Sequence, residues 1–259
     1  MKQSVVVRGS LSYNKHPKNF IELVVNSIRS WFDGELILST WEGQEKYLNN
    51  DLDIDKVVYS SDPGSGPIQH WQRQVVSYQN GLSVSSGDEI MVTRTDMVHK
   101  INPFQFLNTF QNSGSDLKVF DNKLVVSNMM TIRPDSNEYP NTFRVCDWMQ
   151  VGSREDIFKW SDILNYILNL DLEKLSEMNC TEKLWALSVL KNKYPDIIDI
   201  YDSSNIDEFA WDFIVNNFIV LDTKSMLGAI NMNWHFQPEY LPCYLDHDTY
   251  IKLYDTVGK

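Results

Sequence analysis

Over roughly the first hundred positions, short β-branched runs alternate with stretches whose apolar residues recur at helical spacing. Ser4–Val7 (SVVV) predicts a buried strand that ends in the turn Arg8-Gly9-Ser10. Asn19–Trp31 carries Phe20, Leu23, Val24, Ile28 and Trp31 at helical intervals, and Asp33-Gly34 stops it. Glu35–Ser39 (ELILS) predicts a second strand, the polar Trp41–Asn50 a short helix or loop, and Val57–Tyr59 a third strand. Ile68–Gln79 reads as a helix with Trp71, Val75, Val76 and Tyr78 as core positions and Gly81 as its C-terminal cap. Glu89–Thr93 (EIMVT) is the fourth strand and runs into Arg94-Thr95-Asp96. Such alternation predicts a parallel sheet with helices on its faces. Ligands of such sheets lie beyond the carboxyl ends of the strands, where Arg8-Gly9-Ser10 and Arg94-Thr95-Asp96 fall.

The pattern then changes. Leu117–Phe120, Lys123–Val126, Met129–Ile132 and Arg144–Val151 (RVCDWMQV) are short strand-like segments, expected as antiparallel additions to the sheet. Ser153, with Asp156 three residues on, marks a helix start, and the helix continues through Trp160. Asp162–Met178, Thr181–Lys193 and Asn205–Asn217 read as further helices. The expected organisation is an α/β core over residues 1–160 and a helical C-terminal extension, 161–259, packed on it.

Composition narrows the function classes. The 259 residues carry a net charge of −12, which opposes nucleic-acid binding, since that needs a basic footprint. The first hundred residues hold ten basic and twelve acidic side chains, so a phosphate-bearing ligand meets no hostile field there. Cys146, Cys180 and Cys243 are widely spaced and suggest neither a disulfide framework nor a zinc knuckle. With no signal-like or membrane-spanning apolar run, a cytoplasmic location is expected.

The sharpest stretch is Arg73–Val98, RQVVSYQNGLSVSSGDEIMVTRTDMV: a helix with an N-terminal Arg, a turn, an apolar strand and an acidic residue just past its end. It resembles the nucleotide-sugar glycosyltransferases of the GT-A fold, whose fourth strand delivers an Asp-x-Asp metal motif. Here Arg94 stands in place of the first Asp. One carboxylate holds a metal less well than two, and Arg94 can itself offset diphosphate charge. The segments VVVRGSL, NSIRSWFDGELILSTWEGQ, VVYSSDPG, RQVVSYQNGL, VTRTDMV, LKVFDNKLVVSNMMT and DWMQVGSREDIFKW, in that order, resemble the WavE family of lipopolysaccharide synthesis.

That resemblance implies a GT-A-like (Rossmann-like) mixed, mostly parallel sheet flanked by helices. It also implies a nucleotide-sugar donor and a growing bacterial surface glycan, lipid-linked or capsular, as acceptor. Arg8, Gly9 and Ser10 fall where GT-A enzymes hold base and ribose, with Asp62 a further candidate there. Arg73, Arg94 and Asp96 fall near the diphosphate. Asp96 and His235 are the candidate ligands of a divalent metal, Mg or Mn. Inverting transfer needs a base for the acceptor hydroxyl. Asp147 is the first candidate, because a carboxylate between apolar strand residues is costly unless used or paired; Asp156, with a competing role as a capping residue, is the second. With no membrane span, attachment to the inner membrane face would be peripheral. The rival readings are a nucleotidyltransferase, disfavoured by the single Gly in RGSLSYNKHP, and a non-catalytic glycan-binding protein of the same fold.

Overall fold

A computed structural model describes residues 1–12, 20–64, 71–110, 115–128, 131–135, 143–162, 181–194, 206–222, 227–229 and 245–257. The expected alternation is present: β1 (Gln3–Arg8), α1 (Phe20–Arg29), β2 (Glu35–Trp41), β3 (Lys56–Ser60), α2 (Trp71–Ser83) and β4 (Glu89–Arg94). The polar stretch after β2 holds one 3-10 turn, Glu45–Tyr47. After β4 come β5 (Met97–His99), β6 (Leu124–Ser127), β7 (Met149–Ser153), α3 (Arg154–Ser161), α4 (Thr181–Lys193), α5 (Ile206–Asn217), β8 (Phe218–Leu221), β9 (Leu227–Ala229) and α6 (His247–Val257).

Seven strands form one sheet in the order β3-β2-β1-β4-β7-β6-β8, and β5 pairs with β9 in a small second sheet. β1 to β4 are parallel, β7 runs antiparallel to both β4 and β6, and β6 is parallel to β8. This is the mixed, mostly parallel, helix-flanked sheet expected. Val5, Val6, Val7, Ile37, Leu38, Ile90, Met91 and Val92 are all buried, as continuous apolar runs in a sheet covered on both faces must be.

Several local readings differ. Gly81 does not cap α2, which continues to Ser83. A Cβ there would lie 2.3 Å from Val6 Cγ1, so this glycine lets the helix approach β1 closely. Leu117–Phe120 forms turns rather than a strand, because Asn217 takes its backbone groups. The Asn217 Oδ1 accepts from the amides of Val119 and Phe120, and its Nδ2 donates to the Leu117 carbonyl. The strand read at Arg144–Val151 is displaced to Met149–Ser153, since the Cys146 amide donates to Thr131 Oγ1 instead of to a ladder. Phe218–Leu221, inside the stretch read as helical, is a buried strand of the main sheet. The helix read at Asp162–Met178 lies almost wholly outside the described residues.

Aromatic packing ties the C-terminal part to the sheet. Trp160 of α3 stacks on Trp185 of α4 with centroids 5.7 Å apart, and Trp185 also meets Tyr78 of α2 at 4.9 Å. Phe218 packs against Trp160 and Phe120. Among the described residues, no helix is long and apolar enough to cross a membrane.

Candidate functional site

Strand register assembles the site. Arg8 at the end of β1 lies beside Arg94 at the end of β4, and Thr93 lies opposite Met149 at the start of β7. Because β7 is reversed, the residues entering it, Asp147 and Trp148, arrive at the same sheet edge as those leaving β1 and β4. Arg8, Arg94, Asp96 and Asp147 are thus brought together.

Arg8 is buried. Its Nη2 donates to the Asp147 carbonyl at 2.6 Å and more loosely, at 3.4 Å, to Gln74 Oε1 of α2. Its guanidinium lies 5.4 Å from the centroid of the Tyr78 ring. Arg94 forms a two-pronged pair with Asp96: Nε to Oδ1 at 2.8 Å and Nη2 to Oδ2 at 2.7 Å. The Arg94 guanidinium also lies 4.3 Å from the Trp148 ring centroid, so its plane is held from two directions.

Asp147 is 1% exposed. Neither carboxylate oxygen accepts a well-formed hydrogen bond; its own amide and the Gln74 side chain reach it only loosely. Burial pushes its acidity constant above the usual carboxylate range, against the opposing pull of the Arg8 and Arg94 charges. A buried carboxyl left short of donors yet facing two guanidinium groups is costly in a purely structural role.

The turn after β1 is rigid. Gly9 has φ 131°, a conformation that favours glycine, and its amide donates to the Ser39 carbonyl at 3.0 Å. Thr95 clamps the turn: its amide donates to the Arg8 carbonyl and its hydroxyl to the Ser10 carbonyl. Gln44 holds the other side, donating to Ser10 Oγ at 2.9 Å and accepting from the Leu11 amide and the Thr40 hydroxyl. Gln44 and Gln74 are the supports that sequence reading missed. A lone glutamine carries no pattern signal.

Arg73 lies one residue before Gln74 and forks onto Asp62, beyond the end of β3, with both contacts at 2.7 Å and both side chains partly exposed. Asp156 is placed elsewhere, beyond the opposite end of β7. It accepts from the amides of Asp121 and Asn122 and from the Ser153 hydroxyl, and Ser153 Oγ caps the Asp156 amide. β7 spans five residues, or about 17 Å at 3.4 Å per residue, which separates Asp156 from the other candidates. His235 lies outside the described residues.

A divalent metal fits this edge poorly. It needs several hard oxygen ligands, yet both Asp96 oxygens already serve Arg94. Among the described residues no group of three His, Cys, Asp or Glu gathers to hold an ion.

The family model for WavE lipopolysaccharide synthesis matches residues 3–256. A crystal structure of an active-site mutant of LgtC is similar over 72% of this chain and 69% of that one, at 10% identity and a TM-score of 0.45. No curated protein matches.

Proposed function

The chain belongs to the WavE lipopolysaccharide synthesis family, and on that premise we propose that it is a glycosyltransferase moving a sugar from a nucleotide-activated donor to a growing bacterial surface glycan. The observation that carries this reading is Asp147: a buried carboxyl without well-formed hydrogen bonds, within electrostatic reach of the guanidinium groups of Arg8 and Arg94. Gly9 and Ser10, in the turn after β1, take the base and ribose of the donor, and Arg8 lies beside Arg94 at its diphosphate. Arg94, with Arg73 further out, meets its diphosphate.

In an inverting transfer, the acceptor hydroxyl oxygen attacks the anomeric carbon as Asp147 takes the hydroxyl proton. The bond to the diphosphate breaks, and the departing nucleoside diphosphate keeps the electron pair. A carboxyl whose affinity for protons is raised by burial is the stronger base once ionised, and its working range moves toward neutral pH. With Asp147 at 1% exposure, an acceptor reaches it only through a local opening of the chain around Trp148. The acceptor is a lipid-linked glycan at the inner membrane face, and the protein works in the cytoplasm with peripheral attachment.

The test is Asp147→Asn assayed for sugar transfer and, separately, for nucleoside diphosphate binding. Retained binding with lost transfer supports the reading. Full transfer in the folded variant overturns Asp147 as the base. A wild-type chain that binds no nucleoside diphosphate overturns the enzyme reading itself and leaves a non-catalytic protein of this fold.

A further inference from the structure

We infer that the donor's diphosphate is neutralised by the guanidinium groups of Arg94 and Arg8, and that this site needs no divalent cation to hold it. The inference rests on the glycosyltransferase reading and concerns what does the work of charge compensation within it.

Local charge is the first argument. Arg8 and Arg94 bring two positive charges to the edge, and Asp96 returns one negative charge in its fork with Arg94. Asp147 contributes at most one negative charge. The sum is therefore at or above neutrality. A divalent cation entering here would face the Arg94 guanidinium beside the same carboxylate it must bind. Like charges a few ångström apart in a partly buried site repel strongly. A diphosphate finds the opposite situation.

Geometry is the second argument. Arg94 uses two of its five N–H groups on Asp96, with the guanidinium lying over Trp148. Asp96 is fully buried, so it acts as the support that sets the plane of Arg94, not as an open ligand. A planar guanidinium held at a fixed angle meets phosphate oxygens without the reordering that a mobile lysine must undergo. Arg8 is fixed in the same way by the Asp147 carbonyl, Gln74 and Tyr78. The strand register keeps the two arginines side by side.

Calorimetry on the full chain tests this, with UDP, GDP and CDP each titrated in EDTA and again in excess Mg2+. The expected result is that whichever nucleotide binds does so with affinities within about threefold in the two buffers. Arg94→Gln should weaken it about ten- to hundredfold, as loss of charge-assisted contacts does. Arg94→Lys, which keeps the charge but not the fork, should fall between. Binding that appears only with Mg2+ overturns the inference while leaving the glycosyltransferase reading intact. Absence of binding in both buffers overturns the reading beneath it. A measurement independent of any variant is Mn2+ titrated into the wild-type chain with UDP and followed by its paramagnetic resonance signal. Uptake no greater than UDP alone produces supports the inference, and additional stoichiometric uptake by the protein overturns it.

Discussion

The two ends of β7 carry two aspartates with opposite circumstances. Asp156, past the end of the strand, accepts from two backbone amides and a hydroxyl and lies 3.6 Å from Lys159. Asp147, before the start, is equally buried but has no well-formed donor. The contrast extends to the whole sheet. At the edge holding Asp156, the Glu35 carboxylate accepts from Ser4, from the amide and hydroxyl of Ser86, and from Lys56 at 2.7 Å. Burial alone would raise the acidity constant of Glu35, but these partners outweigh it and hold the carboxyl at about 2. The carboxylates at one edge are thus saturated with partners, whereas Asp147 at the other is left short of them. Saturation stabilises a fold; a shortage maintained at a strand end is what binding and proton transfer require.

The contrast can be broken most severely at Asp147. Asp147→Asn should cut transfer by about a hundred- to ten-thousandfold, measured as product formed per enzyme. The same variant should be more stable than wild type at neutral pH, by about 0.5–2 kcal/mol in denaturant melts. The sign follows from a folded-state acidity constant raised above the unfolded value. The contribution of Asp147 to stability is fully present below its ordinary value, near 3.8, and is lost as pH rises through the folded value, so the gap to the variant opens upward from there.

Glu35→Gln should act in the reverse manner, costing about 1.5–3 kcal/mol while leaving transfer unchanged. Because the Glu35 constant is depressed, its contribution is complete above about 4.5 and is lost as pH falls toward about 2, which acid titration of wild type against the variant will show. Asp156→Asn should cost about 0.5–2 kcal/mol by weakening the start of α3, with transfer retained. If it abolishes transfer at normal stability instead, the roles of the two aspartates are reversed. The smallest effect belongs to Asp62→Asn, which breaks a partly exposed pair with Arg73 and should change stability by under about 1 kcal/mol in the same melts.

The first four strands and two helices were legible because their signals are local: SVVV, ELILS and EIMVT are unbroken apolar runs, and α1 keeps its helical period. The capping role of Asp156 was legible from Ser153 three residues earlier. Arg8 and Arg94 could be singled out as polar residues at strand ends, and Asp147 as a carboxylate between apolar residues of an expected strand. Their mutual placement could not, since it comes from cross-strand register and from the reversal of β7. The same limit hid β8. FIVL follows α5 with no intervening turn and falls inside the expected helical extension, 161–259. Only its pairing with β6 makes it a strand. Leu117–Phe120 failed in the other direction, because its backbone partners lie on Asn217, nearly a hundred residues away.

The reversal of β7 also sets the order in which a growing chain can become competent. Arg8 and Arg94 both lie in the first four strands, which can pair as soon as they leave the ribosome. The contact that joins Arg8 to Asp147 spans 139 residues. At about 5–20 residues per second, the roughly fifty residues between Asp96 and Asp147 delay it by about 3 to 10 s. β7 must then pair with β4 before Asp147 reaches Arg8 and Arg94. A half-made chain therefore holds the two arginines of this edge without the carboxyl we propose as the proton acceptor, which is seated only once the later strands have been translated and docked.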